Sequence, residues 1–81
     1  MARVVLTNAL TQYTGGEAEM EIDAPDVRGL MRALSERFPA LKPQLDHGVA
    51  VAIDGQIYQD DWLQPIPPAS EVYLLPQIKG G

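Results

Sequence analysis

Glu71-Val72-Tyr73-Leu74-Leu75-Pro76-Gln77-Ile78-Lys79-Gly80-Gly81 closes the chain, and how its two halves are read decides the rest. From Glu71 to Leu75 the apolar side chains alternate, Val72 and Leu74 toward one face and Tyr73 and Leu75 toward the other, which is the period of two of a strand. Pro76 has no backbone N–H to continue a ladder and ends it. Residues 1–76 therefore read as a domain and residues 77–81 as a flexible tail that stops on two glycines. With glycine at ~7% of average usage, a Gly-Gly ending arises by chance in about 0.5% of chains. Lacking Cβ, such a terminus lies extended in a slot too narrow for side chains.

The chain upstream supplies partners for that strand. Ala2 to Thr7 is apolar and β-branched, with Val4 and Leu6 on one face and Arg3, Val5 and Thr7 on the other, a first strand. Residues 8–16 end in Tyr13-Thr14-Gly15-Gly16 and read as a turn whose glycines supply positive φ. Glu17, Glu19 and Glu21 alternate with Ala18, Met20 and Ile22, giving a second, antiparallel strand with three carboxylates on a solvated face. Between Asp26 and Phe38 the period becomes helical. Val27, Leu30, Met31, Leu34 and Phe38 form one apolar stripe, started either by Asp26 as N-cap with Pro25 just outside or by Pro25 as the first helical residue, and stopped by Pro39. Residues 40–48 return to the sheet with at most a short helical turn. Val49, Val51 and Ile53 alternate with Ala50 and Ala52 before Asp54-Gly55, a strong hairpin signal, and a short strand runs to about Tyr58. The Pro-rich stretch 59–70 is a long loop, expected to be anchored by Trp62 and Leu63.

That order, strand, strand, helix, strand, short strand, strand, predicts an α+β fold. In it a mixed β-sheet is covered on one face by one main helix; if the two terminal strands pair in parallel at the centre, with the hairpin partners flanking them, this is the β-grasp (ubiquitin-like) architecture. Val5, Ala50, Ala52, Tyr73 and Leu75 then fall on the face away from the helix, where exposed apolar side chains mark a partner surface.

Composition narrows the function. The 81 residues, 46% of them hydrophobic, make one small folded domain with a modest core. Without cysteine there is no disulfide, thiol nucleophile or cysteine-ligated zinc. The net charge of −5 argues against a nucleic-acid partner. No stretch approaches the ~20 apolar residues of a membrane helix, and no signal-like segment opens the chain, so a cytoplasmic location is expected. The strand glutamates are too extended to converge on a metal. His47, the single histidine, sits in a polar connection, and Asp60 and Asp61 serve the loop backbone. Gly15-Gly16 lacks the Lys and Ser/Thr of a phosphate-binding loop. No catalytic residue, metal or bound cofactor is expected in the chain itself. The chemistry that remains is that of the Gly81 carboxylate: attack on a nucleotide phosphorus inside another protein, then acyl transfer to a sulfur or nitrogen nucleophile.

Thr14-Gly15-Gly16, the helix Val27-Arg28-Gly29-Leu30-Met31-Arg32-Ala33-Leu34 with Phe38-Pro39, Val51-Ala52-Ile53-Asp54-Gly55, and Glu71-Val72-Tyr73-Leu74-Leu75-Pro76 followed by Gly80-Gly81 together resemble the MoaD/ThiS family of ubiquitin-like sulfur carriers. The resemblance covers essentially the whole chain. It implies a carrier, not an enzyme, although such a carrier can be the small subunit of molybdopterin synthase. Its C-terminal Gly81, presented with Gly80, is adenylated by an E1-like enzyme of the MoeB/ThiF type at the expense of ATP. It is converted to a thiocarboxylate with sulfur from a donor protein and delivers that sulfur to an acceptor such as a molybdopterin synthase large subunit. Lys79 and Ile78 would help the tail dock. Many molybdopterin-type members carry a large aromatic where Thr7 stands, a second proline at Gln77 and alanine or serine at Lys79. The Tyr13-Thr14-Gly15-Gly16 turn and the Leu75-Pro76 exit are similar to carriers that feed cysteine synthesis. Molybdopterin, thiamine-thiazole and cysteine pathways all stay open. The alternatives are a ubiquitin-like modifier joined through Gly81 to lysines, and a non-catalytic β-grasp binding module.

Overall fold

Alternating apolar residues make strands here because each strand has one face to bury. In the computed structural model, which describes residues 1–77, β1 (Ala2–Leu6) buries Ala2, Val4 and Leu6, and β2 (Glu19–Ile22) buries Met20 and Ile22 while its glutamates face out. β3 (Val49–Ile53), β4 (Gln56–Gln59) and β5 (Glu71–Pro76) complete a five-stranded sheet of order β2-β1-β5-β3-β4. The terminal strands β1 and β5 pair in parallel at its centre, in the register Arg3–Glu71 to Leu6–Leu74, and the other pairings are antiparallel. This is the β-grasp arrangement.

A short helix, α1 (Asn8–Thr11), follows β1, and the main helix, α2 (Val27–Arg37), lies across one face and buries Val27, Leu30, Met31 and Leu34 against Val4, Val51, Val72 and Leu74. Each fully buried aliphatic side chain in this layer contributes roughly 1.5–3 kcal/mol. Asp26 is the N-cap, its Oδ1 accepting from Gly29 N–H at 2.7 Å. Gly29 is tied to that cap, because a Cβ there would stand 3.1 Å from Pro25 Cδ and 3.2 Å from the capping oxygen. Pro39 ends α2 as expected. A 3₁₀ turn (Pro39–Leu41) and a six-residue helix (Lys42–His47) then carry the chain back, burying Leu41 and Leu45.

Three local readings change. Residues 8–16, expected as a turn, begin with a four-residue helix (Asn8–Thr11) that buries Leu10. Too short for a helical period to show, it precedes the glycine turn, where Gly15 and Gly16 take φ of 68° and 92°. Trp62 and Leu63, expected to anchor the long loop, are instead 43% and 72% exposed, and Ile66 is the buried anchor. The loop is fastened mainly by backbone: the carbonyls of Gln64 and Trp62 accept from Val27 and Arg28 N–H at 3.0 and 2.9 Å, and Ile66 N–H donates to Pro25. Those bonds satisfy the first amides of α2, which no intrahelical carbonyl can reach. Ala50, expected on the surface, is buried.

The Asp54-Gly55 turn behaves as its sequence implies, with φ of 48° and 89°. It also reaches β5: Asp54 N–H donates to the Glu71 carbonyl and its carboxylate accepts from Glu71 N–H, both at 2.9 Å.

Candidate functional site

Strand pairing puts three rows on the face that no helix covers. Glu21, Arg3 and Glu71 form the first. Glu19, Val5, Tyr73, Ala52 and Ile57 form the second. Leu75, Ala50 and Gln59 form the third, with Thr7 beside Leu75. The first is ionic: Arg3 meets Glu19 at 2.6 Å and Glu71 at 3.8 Å, and the Glu19 hydrogen bond and charge raise the guanidinium pKa above its ordinary value. All three side chains are about half exposed, so the network is worth little to stability. The face thus turns from charged at the start of β5 to apolar at its end.

At that apolar end lies a hollow of about 470 Å³ lined by Thr7, Ala50, Ile57, Gln59, Leu75 and Pro76. Ala50 is its floor. Val5, Ala52 and Leu75 are half-buried, and Tyr73 and Ile57 stand out at 42% and 59% exposed. The 60–70 loop packs on the helical side and leaves the face open. The buried Thr7 Oγ1 has no hydrogen-bond partner among the described residues. Thr7, Ile57, Gln59 and Pro76 were not among the residues expected on the partner surface. The two-residue turn at Asp54-Gly55 carried the signal for Ile57, since it fixes the register that sets Ile57 opposite Ala52.

The chain leaves this face through a defined root. Gln77 N–H donates to the Gly48 carbonyl at 3.3 Å, and its side-chain amide donates to Gln59 Oε1 at 3.1 Å. Gly48 has φ of 129°, a region L-residues rarely adopt, and a Cβ there would collide with the Gln77 side chain. Ile78, Lys79, Gly80 and Gly81, the expected docking and reactive residues, lie outside the described residues. Among those described, no group of His, Asp and Glu is arranged to hold a metal, and no helix is long and apolar enough to cross a membrane. His47 ends the Lys42–His47 helix as an exposed side chain.

β5 is central by its parallel pairing with β1 and antiparallel pairing with β3, the arrangement of a β-grasp sheet, and the ThiS family model matches residues 4–81. The chain belongs to the ThiS family. No curated protein matches the sequence. Among solved structures, this ThiS-family chain is similar to a chain of the Amycolatopsis orientalis BexX/CysO complex, at 18% identity over 100% of both chains and a TM-score of 0.80. It is similar to Mycobacterium tuberculosis CysO, at 13% identity over 96% of this chain and 100% of that one, with a TM-score of 0.82. It is also similar to the small archaeal modifier protein 1 of Methanosarcina acetivorans, at 20% identity over 99% and 95% and a TM-score of 0.77. At such identities the likenesses carry the fold. The family itself is that of small ubiquitin-like sulfur carriers.

Proposed function

We propose that this protein is a sulfur carrier whose reactive group is the Gly81 carboxylate. A carboxylate oxygen attacks the α-phosphorus of ATP inside an E1-like enzyme of the MoeB/ThiF type, the bond to pyrophosphate breaks, and an acyl-adenylate forms. A hydrosulfide-level sulfur from a donor protein then attacks the acyl carbon and AMP departs, leaving a thiocarboxylate that gives its sulfur to a biosynthetic acceptor in the cytoplasm. ATP belongs to the activating enzyme. The observation that carries the reading is the family match running through residue 81 on a chain whose central strand leads into that terminus. The apolar end of the open face, with Tyr73, Leu75 and Ile57 around the hollow, offers the enzyme a surface beside the tail root. Lys79 and Ile78 would follow the tail into the entry channel.

A second reading, transfer of the same acyl group to a lysine amine, is supported by the likeness to an archaeal modifier. Both share adenylation and differ in the nucleophile. Incubating the protein with its E1-like enzyme, ATP and sulfide, and reading intact mass, separates them. Exchange of one oxygen for sulfur at the terminus supports the carrier, and slower-migrating adducts with other proteins support the modifier. Gly81→Ala and a one-residue extension are expected to abolish either product with the fold intact. Normal adenylation of both variants would refute the role of Gly81.

A further inference from the structure

The helical side carries a second surface, apart from the open sheet face proposed to meet the activating enzyme. One side of α2 from Arg28 to Glu36, the Lys42–His47 helix and the loop after β4 enclose an open groove of about 710 Å³. Its floor is the buried Met31 and Leu45, and Trp62 and Leu63 form one wall, held in place because the Trp62 carbonyl accepts from Arg28 N–H. These two are among the most exposed large apolar side chains of the described residues. Trp62 packs partly against Val27 and Met31 and is still 43% exposed, so a large apolar area of its indole is left for a partner to cover.

The groove's charge runs against that of the protein. Arg28, Arg32 and Lys42 line it, half of the six Lys and Arg residues of a chain whose net charge is −5. Lys42 is neutralised by Asp46 at 2.8 Å, whereas Arg28 and Arg32 make no ion pair among the described residues. They stand one helical turn apart, a like-charge spacing that weakens a helix, and Glu36 stands one turn beyond Arg32 without pairing with it. Glu36 and Asp46 are the only carboxylates of the lining, while Asp60 and Asp61 flank Trp62 on a separate small cleft.

We propose that this groove docks an acidic, apolar peptide segment of a partner protein: an aliphatic or aromatic side chain enters between Trp62, Leu63 and the Met31–Leu45 floor, and flanking carboxylates pair with Arg28 and Arg32. Apolar anchors ringed by complementary charge are the usual composition of such sites. A membrane surface fits less well, since the apolar residues line a concavity and the chain as a whole is anionic. The groove is on the side of the sheet opposite Tyr73 and Leu75, so both faces can be occupied together. The inference holds whether or not Gly81 is activated.

The test uses the full chain and a synthetic probe, acetyl-Glu-Asp-Leu-Phe-Asp-Glu-amide, followed by ¹H–¹⁵N NMR. The expected result is shift changes at the Trp62 indole and the amides of Arg28, Arg32 and Leu63, with affinity falling as salt is raised. Arg28→Glu with Arg32→Glu, and separately Trp62→Ala, should weaken binding by about tenfold or more, and Tyr73→Ala should leave it unchanged. All are exposed positions, so the variants should fold. The proposal is overturned by any of four results: no shifts at millimolar peptide, equal binding of the peptide with lysines in place of its acids, capture by phosphatidylserine vesicles without peptide binding, or self-association through the groove.

Discussion

Gly48→Ala is the sharpest probe of how the tail root is built. Gly48 sits between the Lys42–His47 helix and β3 at φ 129° and ψ 129°, and its carbonyl holds Gln77 N–H. Two costs are expected from an added methyl. The first is backbone strain: a non-glycine residue in this region costs on the order of 1–3 kcal/mol. The second is the collision with the Gln77 side chain. That contact is with the far end of a flexible chain, so rotation relieves it at the loss of the exposed Gln77–Gln59 hydrogen bond, worth about 0.5–1.5 kcal/mol at most. Strain therefore dominates, and a total near 2 kcal/mol would lower Tm by roughly 8–16 °C for a domain of this size. Chemical denaturation of Gly48→Ala in the wild-type and Gln77→Ala backgrounds separates the two costs. Most of the destabilisation should persist when Gln77 is already alanine. If Gln77→Ala restores full stability, the clash and not the backbone is the constraint and the reasoning is wrong.

Other outcomes follow from single contacts. Asp26→Ala removes the cap on Gly29 N–H and should cost about 1 kcal/mol by denaturant titration; no change would mean that water replaces it fully. Thr7→Val removes a buried hydroxyl without a partner among the described residues and should be neutral or stabilising by up to about 1 kcal/mol, so a clear loss of stability would reveal a missed hydrogen bond. Leu75→Glu, on the open face, should weaken binding of the activating enzyme by about tenfold or more with the fold retained. Unchanged binding would remove that face from the interface, and unfolding would show that Leu75 belongs to the core.

Much of this architecture was legible because it rests on short-range periodicity. The stripe from Val27 to Phe38, the Asp54-Gly55 turn and the alternation in Glu71–Leu75 each specify an element and the face it buries, and the element order is compatible with parallel pairing of the terminal strands without dictating it. What could not be read depended on long-range partners. Asn8–Thr11 spans about one turn, too little for a 3.6-residue period to show. Trp62 and Leu63 carry the composition of an anchor, but burial is decided by which loop residue points inward, and Ile66 among the prolines does. Ala50 shares the strand face of Ala52 and still differs from it in burial, because its neighbours across the ladder are Leu75 and Gln59 while those of Ala52 are Tyr73 and Ile57. Gly48 was visible only as a loop glycine, since its function lies in Gln77, far along the chain.

The ladder between β3 and β5 ties these observations to the terminus. At one end Asp54 and Glu71 exchange two hydrogen bonds at 2.9 Å, and at the other Gly48 holds Gln77. The same antiparallel pairing is thus fastened at both ends, and on its other side β5 is paired in parallel with β1, whose Val4 and Leu6 are buried beneath α2. A slip of one residue in β5 would turn Val72 and Leu74 out of the core and bring Tyr73 and Leu75 in, so the core itself forbids it. Because that register is forbidden to slip, the point at which the chain departs toward Gly81 is set by side chains on the opposite face of the sheet. An activating enzyme that reads Tyr73, Leu75 and Ile57 would therefore meet residue 77 at a constant position, which leaves only the four residues from Ile78 to Gly81 to span the distance to its nucleotide.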